Sequence, residues 1–181
     1  MDESVQDQLF EADDRLSHVL RHVYCVQHPS HAAPVLRQLM PNYEMLLVFN
    51  FGPPVAASVG EVDYLVQQTA VIGPLHTLLR YTVPPGADLL VVVFALNGFH
   101  RLMGKSVQEL KPTGKDMVAP DLLQRERAFE GVWEELAALR SAAERVEFLN
   151  EYVLLATTPS DDDTRAMLNG VAHVNNLAID P

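Results

Sequence analysis

The sequence predicts an α+β domain whose strands and helices are segregated along the chain. Three observations carry that prediction. Over residues 16–96, short apolar runs rich in β-branched side chains alternate with Gly, Pro and Asn punctuation. After Gly98 the apolar residues recur at helical spacing instead. Strands followed by helices mark the segregated α+β pattern rather than βαβ units. The third observation is composition: 48% hydrophobic and 20% charged residues in a chain of 181 support one core of ordinary size.

Residues 1–15 begin acidic and polar and read as a flexible lead. The expected strands then follow in order. Residues 18–27 (HVLRHVYCVQ) stop before the turn-forming HPSH, and 35–39 precede the Pro41-Asn42 turn. Residues 44–51 (EMLLVFNF) are apolar on both faces and end at Gly52-Pro53-Pro54. Residues 55–59 are short, 65–72 end at Gly73-Pro74, 77–83 end at Pro84-Pro85-Gly86, and 89–96 end at Asn97-Gly98. Strands at this spacing point to a sandwich or barrel. Those apolar on both faces need cover on both sides, with an interior on one and packed helices on the other.

The helical part starts with a turn at 99–103 and another at 106–110. A longer helix is expected over 121–139, capped by Asp121, with Leu122, Phe129, Val132, Trp133, Leu136 and Leu139 along one stripe. A second helix begins at Ser141, where Glu144 completes a capping-box pattern, and carries Val146, Leu149, Tyr152 and Val153 on one side to about residue 156. Residues 157–163 read as a linker and 164–174 as a further helix.

Charge and cysteine content narrow the function classes. A net charge of −11 makes this polypeptide by itself a poor ligand for a nucleic-acid duplex. The single cysteine, Cys25, leaves no internal disulfide and no multi-cysteine metal site, and suits a reduced, cytoplasmic compartment. The longest apolar stretches fall well short of the ~20 residues of a membrane helix. The first residues lack the basic start and apolar run of a secretory signal.

No catalytic constellation stands out. On a strand, His18 and His22 lie about 13 Å apart, too far to share one ion. His28 and His31 flank Pro29 in a loop without a carboxylate or thiol partner. There is no Gly-x-Ser-x-Gly elbow and no phosphate-binding Gly-rich loop. No metal and no cofactor are therefore expected, and no enzymatic activity. Polar residues within apolar strands are the better clue, because a pocket needs a few of them in an apolar wall. Glu44 and Asn50 share parity with Leu46 and Val48, and His76 and Arg80 share parity with Leu78. These four are the candidate ligand-binding residues; the alternative places them at strand ends facing water or holding turns. Phe129, Trp133, Leu136, Leu149 and Tyr152 are candidates either for helix core or for a dimer interface.

Two stretches resemble AraC-type bacterial transcription regulators. One is VLRQLMPNYEMLLVFNFGPP at 35–54. The other is AVIGPLHTLLRYTVPPGADLLVVVFALNGFHRLMGKSVQEL at 70–110. The helix ending in LNEYVLL, and TRAMLNGVAHVNNLAID at 164–180, fit the same order. The resemblance implies a cupin-like antiparallel β-barrel at 16–98 that senses a small-molecule or protein effector. It implies a C-terminal helical pair at 99–156 that dimerises, then a linker and the start of a DNA-binding domain at 157–181. The recognition helices would follow Pro181, so the fragment is expected to form a homodimer and to reach DNA only through that further part. Metal-binding cupins carry a His-x-His strand, and this chain has none. The alternatives are a small cupin-like enzyme with Glu44 or His76 as acid–base, or a stand-alone interaction module.

Overall fold

A computed structural model describes residues 4–105, 109, 118–120, 126 and 129–158. Two antiparallel sheets face each other, and helices cover the outer face of the larger one. The strands are β1 (Gln6–Glu11), β2 (Leu20–Gln27), β3 (Val35–Leu39), β4 (Leu46–Asn50), β5 (Val55–Val59), β6 (Val62–Val66), β7 (Thr69–Ile72), β8 (Leu79–Val83), β9 (Asp88–Phe94) and β10 (Val118–Pro120). The helices are α1 (Gly98–Met103), α2 (Val132–Ala138) and α3 (Ala142–Thr157).

The large sheet runs β1-β2-β9-β4-β7-β10 and the small sheet β3-β8-β5-β6. From β2 to β9 successive strands switch between the two sheets, except at the β5–β6 hairpin, which is the pattern of the double-sheet jelly roll that cupins use. The expected cupin-like β unit followed by helices is thus the fold observed.

The two-faced strands explain why the layers stack as they do. Along β4, Leu46 and Val48 point into the space between the sheets while Leu47 and Phe49 point toward the helices. Strand β9 repeats this with Leu89, Val91 and Val93 inside and Leu90, Val92 and Phe94 outside. Side chains alternate across a strand, so a strand apolar at every position joins two cores. The outer core is completed by Phe99 and Leu102 of α1, Val132 and Leu136 of α2, and Val146, Leu149 and Val153 of α3. Phe129 and Leu16 are buried in the same core. α3 starts as expected: the Ser141 hydroxyl accepts from the Glu144 amide while the Glu144 carboxylate accepts from the Ser141 amide.

Three expectations need correction. The polar lead is not loose over its described part. Residues 6–11 form β1, paired with β2 from Gln6↔Gln27 to Glu11↔His22. This strand is held by its backbone ladder, with its side chains mostly exposed, so the apolar pattern gave little sign of it. The expected strand 65–72 is two strands, β6 and β7, separated at Gln67-Gln68. The expected helix 121–139 is helical, within its described part, only over Val132–Ala138. Gly131, with φ of 77°, sits immediately before that helix in the left-handed region, which glycine tolerates and an ongoing helix does not. The Asp121 cap, Leu122, most of the turn at 106–110 and the linker and helix expected after residue 158 lie outside the described residues.

Candidate functional site

Between the sheets lies a cavity of about 70 Å³. Val26, Val48 and Val91 line it from the large sheet, and Ala57, Val66 and Leu79 from the small one. Tyr24 and Tyr81 bring the polar atoms. Burial pushes the Tyr24 phenol up to about 12, with the neighbouring Tyr81 adding to the shift. Tyr24 therefore stays a neutral hydroxyl at any physiological pH.

The edge of the sandwich near these tyrosines is bridged by an ion pair. Arg37 of β3 stands opposite Tyr81 in the ladder, so both side chains share the inward face. Asp7 of β1 stands opposite Val26, again on the inward face. The two Arg37 guanidinium nitrogens donate to the two Asp7 oxygens, each at 2.9 Å. This bidentate bridge, together with a hydrogen bond to Tyr81, raises the pKa of Arg37 against the opposing effect of burial. It ties the exposed edge strand of one sheet to the edge strand of the other.

On the far side of the large sheet a second polar cluster ties down the helices. Arg145 of α3 is 7% exposed. Its Nε donates to the Leu136 carbonyl at 3.1 Å, and one terminal nitrogen donates to Asp88 at 2.8 Å. The guanidinium also lies 4.0 Å from the centroid of the Phe51 ring, which stacks on Trp133. The Trp133 indole N–H donates to the backbone oxygen of Asn50 at 2.9 Å. One end of β4, the start of β9 and both long helices thus meet in one contiguous network.

The four ligand candidates do not converge on the cavity. On β4, Leu46 and Val48 line it, but Asn50 ends that strand beyond the lining and Glu44 lies two residues before its start. Glu44 pairs with Arg21. Asn50 is fully buried, and its amide nitrogen donates to the carbonyls of Pro53, Val66 and Gln67 while its oxygen accepts from Gly52. It locks two turns together. His76 and Arg80 are corrected outright, because β8 starts at Leu79 and turns Leu79, Tyr81 and Val83 inward. The apolar Leu78–Leu79 pair left the register open by one residue, and one step reverses every side chain. Arg80 is exposed, and His76 is exposed with its ring edge-on to Tyr43. Neither Glu44 nor His76, the alternative acid–base candidates, is among the residues that line the cavity.

The helical candidates resolve toward core. Phe129, Leu136 and Leu149 are buried in the outer core of the chain itself. Trp133 and Tyr152 are half-buried against it, with Tyr152 5.6 Å from Phe129 between ring centroids. The residues that parity missed are Tyr24, Arg37 and Tyr81. Arg37 and Tyr81 were legible as polar residues inside apolar runs, but only the register could aim them inward.

A larger cleft of about 310 Å³ lies outside the sandwich, where Phe129, Glu130, Trp133 and Glu134 face Phe49 and Gln68. Among the described residues no group of three His, Cys, Asp or Glu side chains could hold a metal ion, and no helix is long and apolar enough to cross a membrane.

Several solved structures are similar to this chain. One is KdgF from Halomonas sp., at 11% identity over 50% of this chain and 76% of that one, with a TM-score of 0.38. Another is the AraC-like transcriptional activator CuxR, at 10% identity over 96% of this chain and 72% of that one, with a TM-score of 0.43. A third is a cupin 2 conserved barrel domain protein from Rhodopseudomonas palustris, at 15% identity over 63% of this chain and 92% of that one, with a TM-score of 0.28. No curated protein matches the chain. The family model described as a domain of unknown function, DUF6597, matches residues 8–115, the whole run from β1's second half through α1, and the chain belongs to that family.

Proposed function

We propose that this chain is the sensing domain of an AraC-type transcription regulator, in which an effector bound between the sheets changes the packing of the helical layer. The observation that carries the reading is the construction of the large sheet. Val48 lines the inter-sheet cavity while its neighbours Leu47 and Phe49 lie in the core shared with the helices. A ligand that separates the sheets must move strands whose other face is packed against α2 and α3. A packed core transmits such a shift instead of absorbing it. The sequence resemblance over 35–54 and 70–110 supplies the regulator class.

On this reading the domain is a binding module without its own chemistry, and contact with DNA belongs to a separate helix-turn-helix unit of the regulator. The net charge of −11 suits that division of labour. The domain pairs with a second copy through a surface other than Phe129, Leu136 and Leu149, which are spent on the core. A ligand shifts such a switch only by its difference in affinity for the two states. The test is transcriptional. Deleting the gene should alter a defined group of transcripts, and Ala57→Leu, which fills the cavity without touching the helices, should lock the same group in one state. An unchanged transcript profile after deletion would remove the regulator reading.

A further inference from the structure

We propose that the mouth of the inter-sheet cavity is a site for a short-chain carboxylate, whose charged end replaces Asp7 on Arg37 and whose alkyl tail enters the cavity. This rests on the reading above that the cavity is the sensing site, and it names the class of effector.

Asp7 shows what the mouth is built to hold. Its carboxylate takes both guanidinium nitrogens of Arg37 at 2.9 Å, the fork-on-fork geometry that a planar guanidinium offers to any carboxylate. Asp7 is an intramolecular stand-in that can be displaced. Its side chain is 48% exposed, and it sits on β1, an edge strand whose ladder runs only to β2. Released from Arg37, the Asp7 carboxylate returns to water at little cost. Arg37 is the more enclosed partner, at 27% exposure, and is held in place by Tyr81 as well.

The tail is sized by the cavity. A volume of about 70 Å³ corresponds to roughly two water-sized groups, which suits an alkyl tail of two or three carbons. Its lining by Val26, Val48, Ala57, Leu79 and Val91 has no partner for a polar tail. Tyr24 and Tyr81 bring the lining its polar atoms, and the Tyr81 hydroxyl hydrogen-bonds Arg37, which links the apolar wall to the guanidinium that would hold a ligand's carboxylate. The overall charge of −11 and a single guanidinium fork favour a monoanion over a phosphate.

Titration calorimetry with acetate, butyrate, octanoate and the neutral butyramide tests this on the unmodified chain and three variants. Butyrate should bind better than acetate and octanoate, and butyramide should bind far more weakly. Arg37→Gln should weaken butyrate roughly ten- to a hundredfold, the worth of a charge-assisted pair. Asp7→Asn should tighten it by removing the internal competitor, a gain that misfolding cannot produce. Ala57→Leu should abolish the preference for butyrate over acetate. Equal binding of butyrate and butyramide, or butyrate binding indifferent to both Arg37→Gln and Asp7→Asn, would overturn the carboxylate assignment and leave the cavity reading standing. If neither charged nor neutral probes respond to Ala57→Leu, the cavity itself is not the site and both readings fall.

Discussion

Replacing Arg145 by Met tests whether the polar cluster behind the large sheet holds the helices in place. Methionine keeps most of the volume and the apolar stem but removes three interactions. The bond to the Leu136 carbonyl and the pair with Asp88 are charge-assisted, worth roughly 1.5–3 kcal/mol. The contact with the Phe51 ring on a desolvated face adds about 1–2 kcal/mol. Against this, Asp88 is not stranded. Its side chain is 28% exposed, and its other oxygen still accepts from Gln27 at 3.3 Å. The abandoned carboxylate is rehydrated, so the net loss should be about 2–4 kcal/mol, below that of orphaning a deeply buried charge. For a domain of this size that lowers Tm by roughly 5–15 °C. Urea unfolding should show a lower midpoint with an unchanged slope. Asp88→Asn should be costly in the unmodified chain and nearly neutral in the Arg145→Met background, since the partner is already gone. A loss under about 1 kcal/mol, or full additivity of the two substitutions, would refute the assignment of Arg145 as the tie between helices and sheet.

Three further outcomes follow from the packing. Asn50→Ala should cost about 2–4 kcal/mol in chemical unfolding, because three carbonyls and the Gly52 amide lose their partner inside the fold. Cys25, buried and with its thiol pushed up to about 11, should resist thiol reagents at pH 8 until denaturant is added; fast labelling of the native chain would contradict its placement. Tyr24 and Tyr152 are both pushed up by burial from 10.0 to about 12, so folding favours their neutral forms. That contribution is intact below pH 10 and is lost as pH rises through about 12. A phenolate titration should show late-titrating tyrosines among the five in the chain, and Tyr24→Phe should remove one of them.

The layer plan was legible in the sequence because it rests on residues with no alternative. EMLLVFNF at 44–51 and LLVVVFAL at 89–96 cannot show a polar face, so a two-sided cover was the only solution, and both strands now join two cores. Ser141 with Glu144 announced the start of α3 for an equally local reason. The rest depended on distant partners. β1 owes its existence to the β2 backbone rather than to its own apolar content. The candidate site failed on register: Thr77, Leu78 and Leu79 fit either phase of β8, and the ladder with β3 and β5 chose the one that turns Tyr81 inward and Arg80 out. Asn50 stands out in the sequence as a polar group in an apolar strand, but its environment consists of backbone carbonyls that only the folded turns bring together.

On the proposed switch, the inter-sheet cavity accepts a small apolar group and the helices respond. Xenon under pressure probes this without assuming any effector, because dry apolar cavities take it up. Xenon should shift the methyl signals of Val48, Leu79 and Val91 and alter amide exchange along Ala142–Thr157, and both effects should be lost in Ala57→Leu. Methyl shifts confined to other parts of the chain, or a filled cavity with unchanged exchange in that helix, would contradict it.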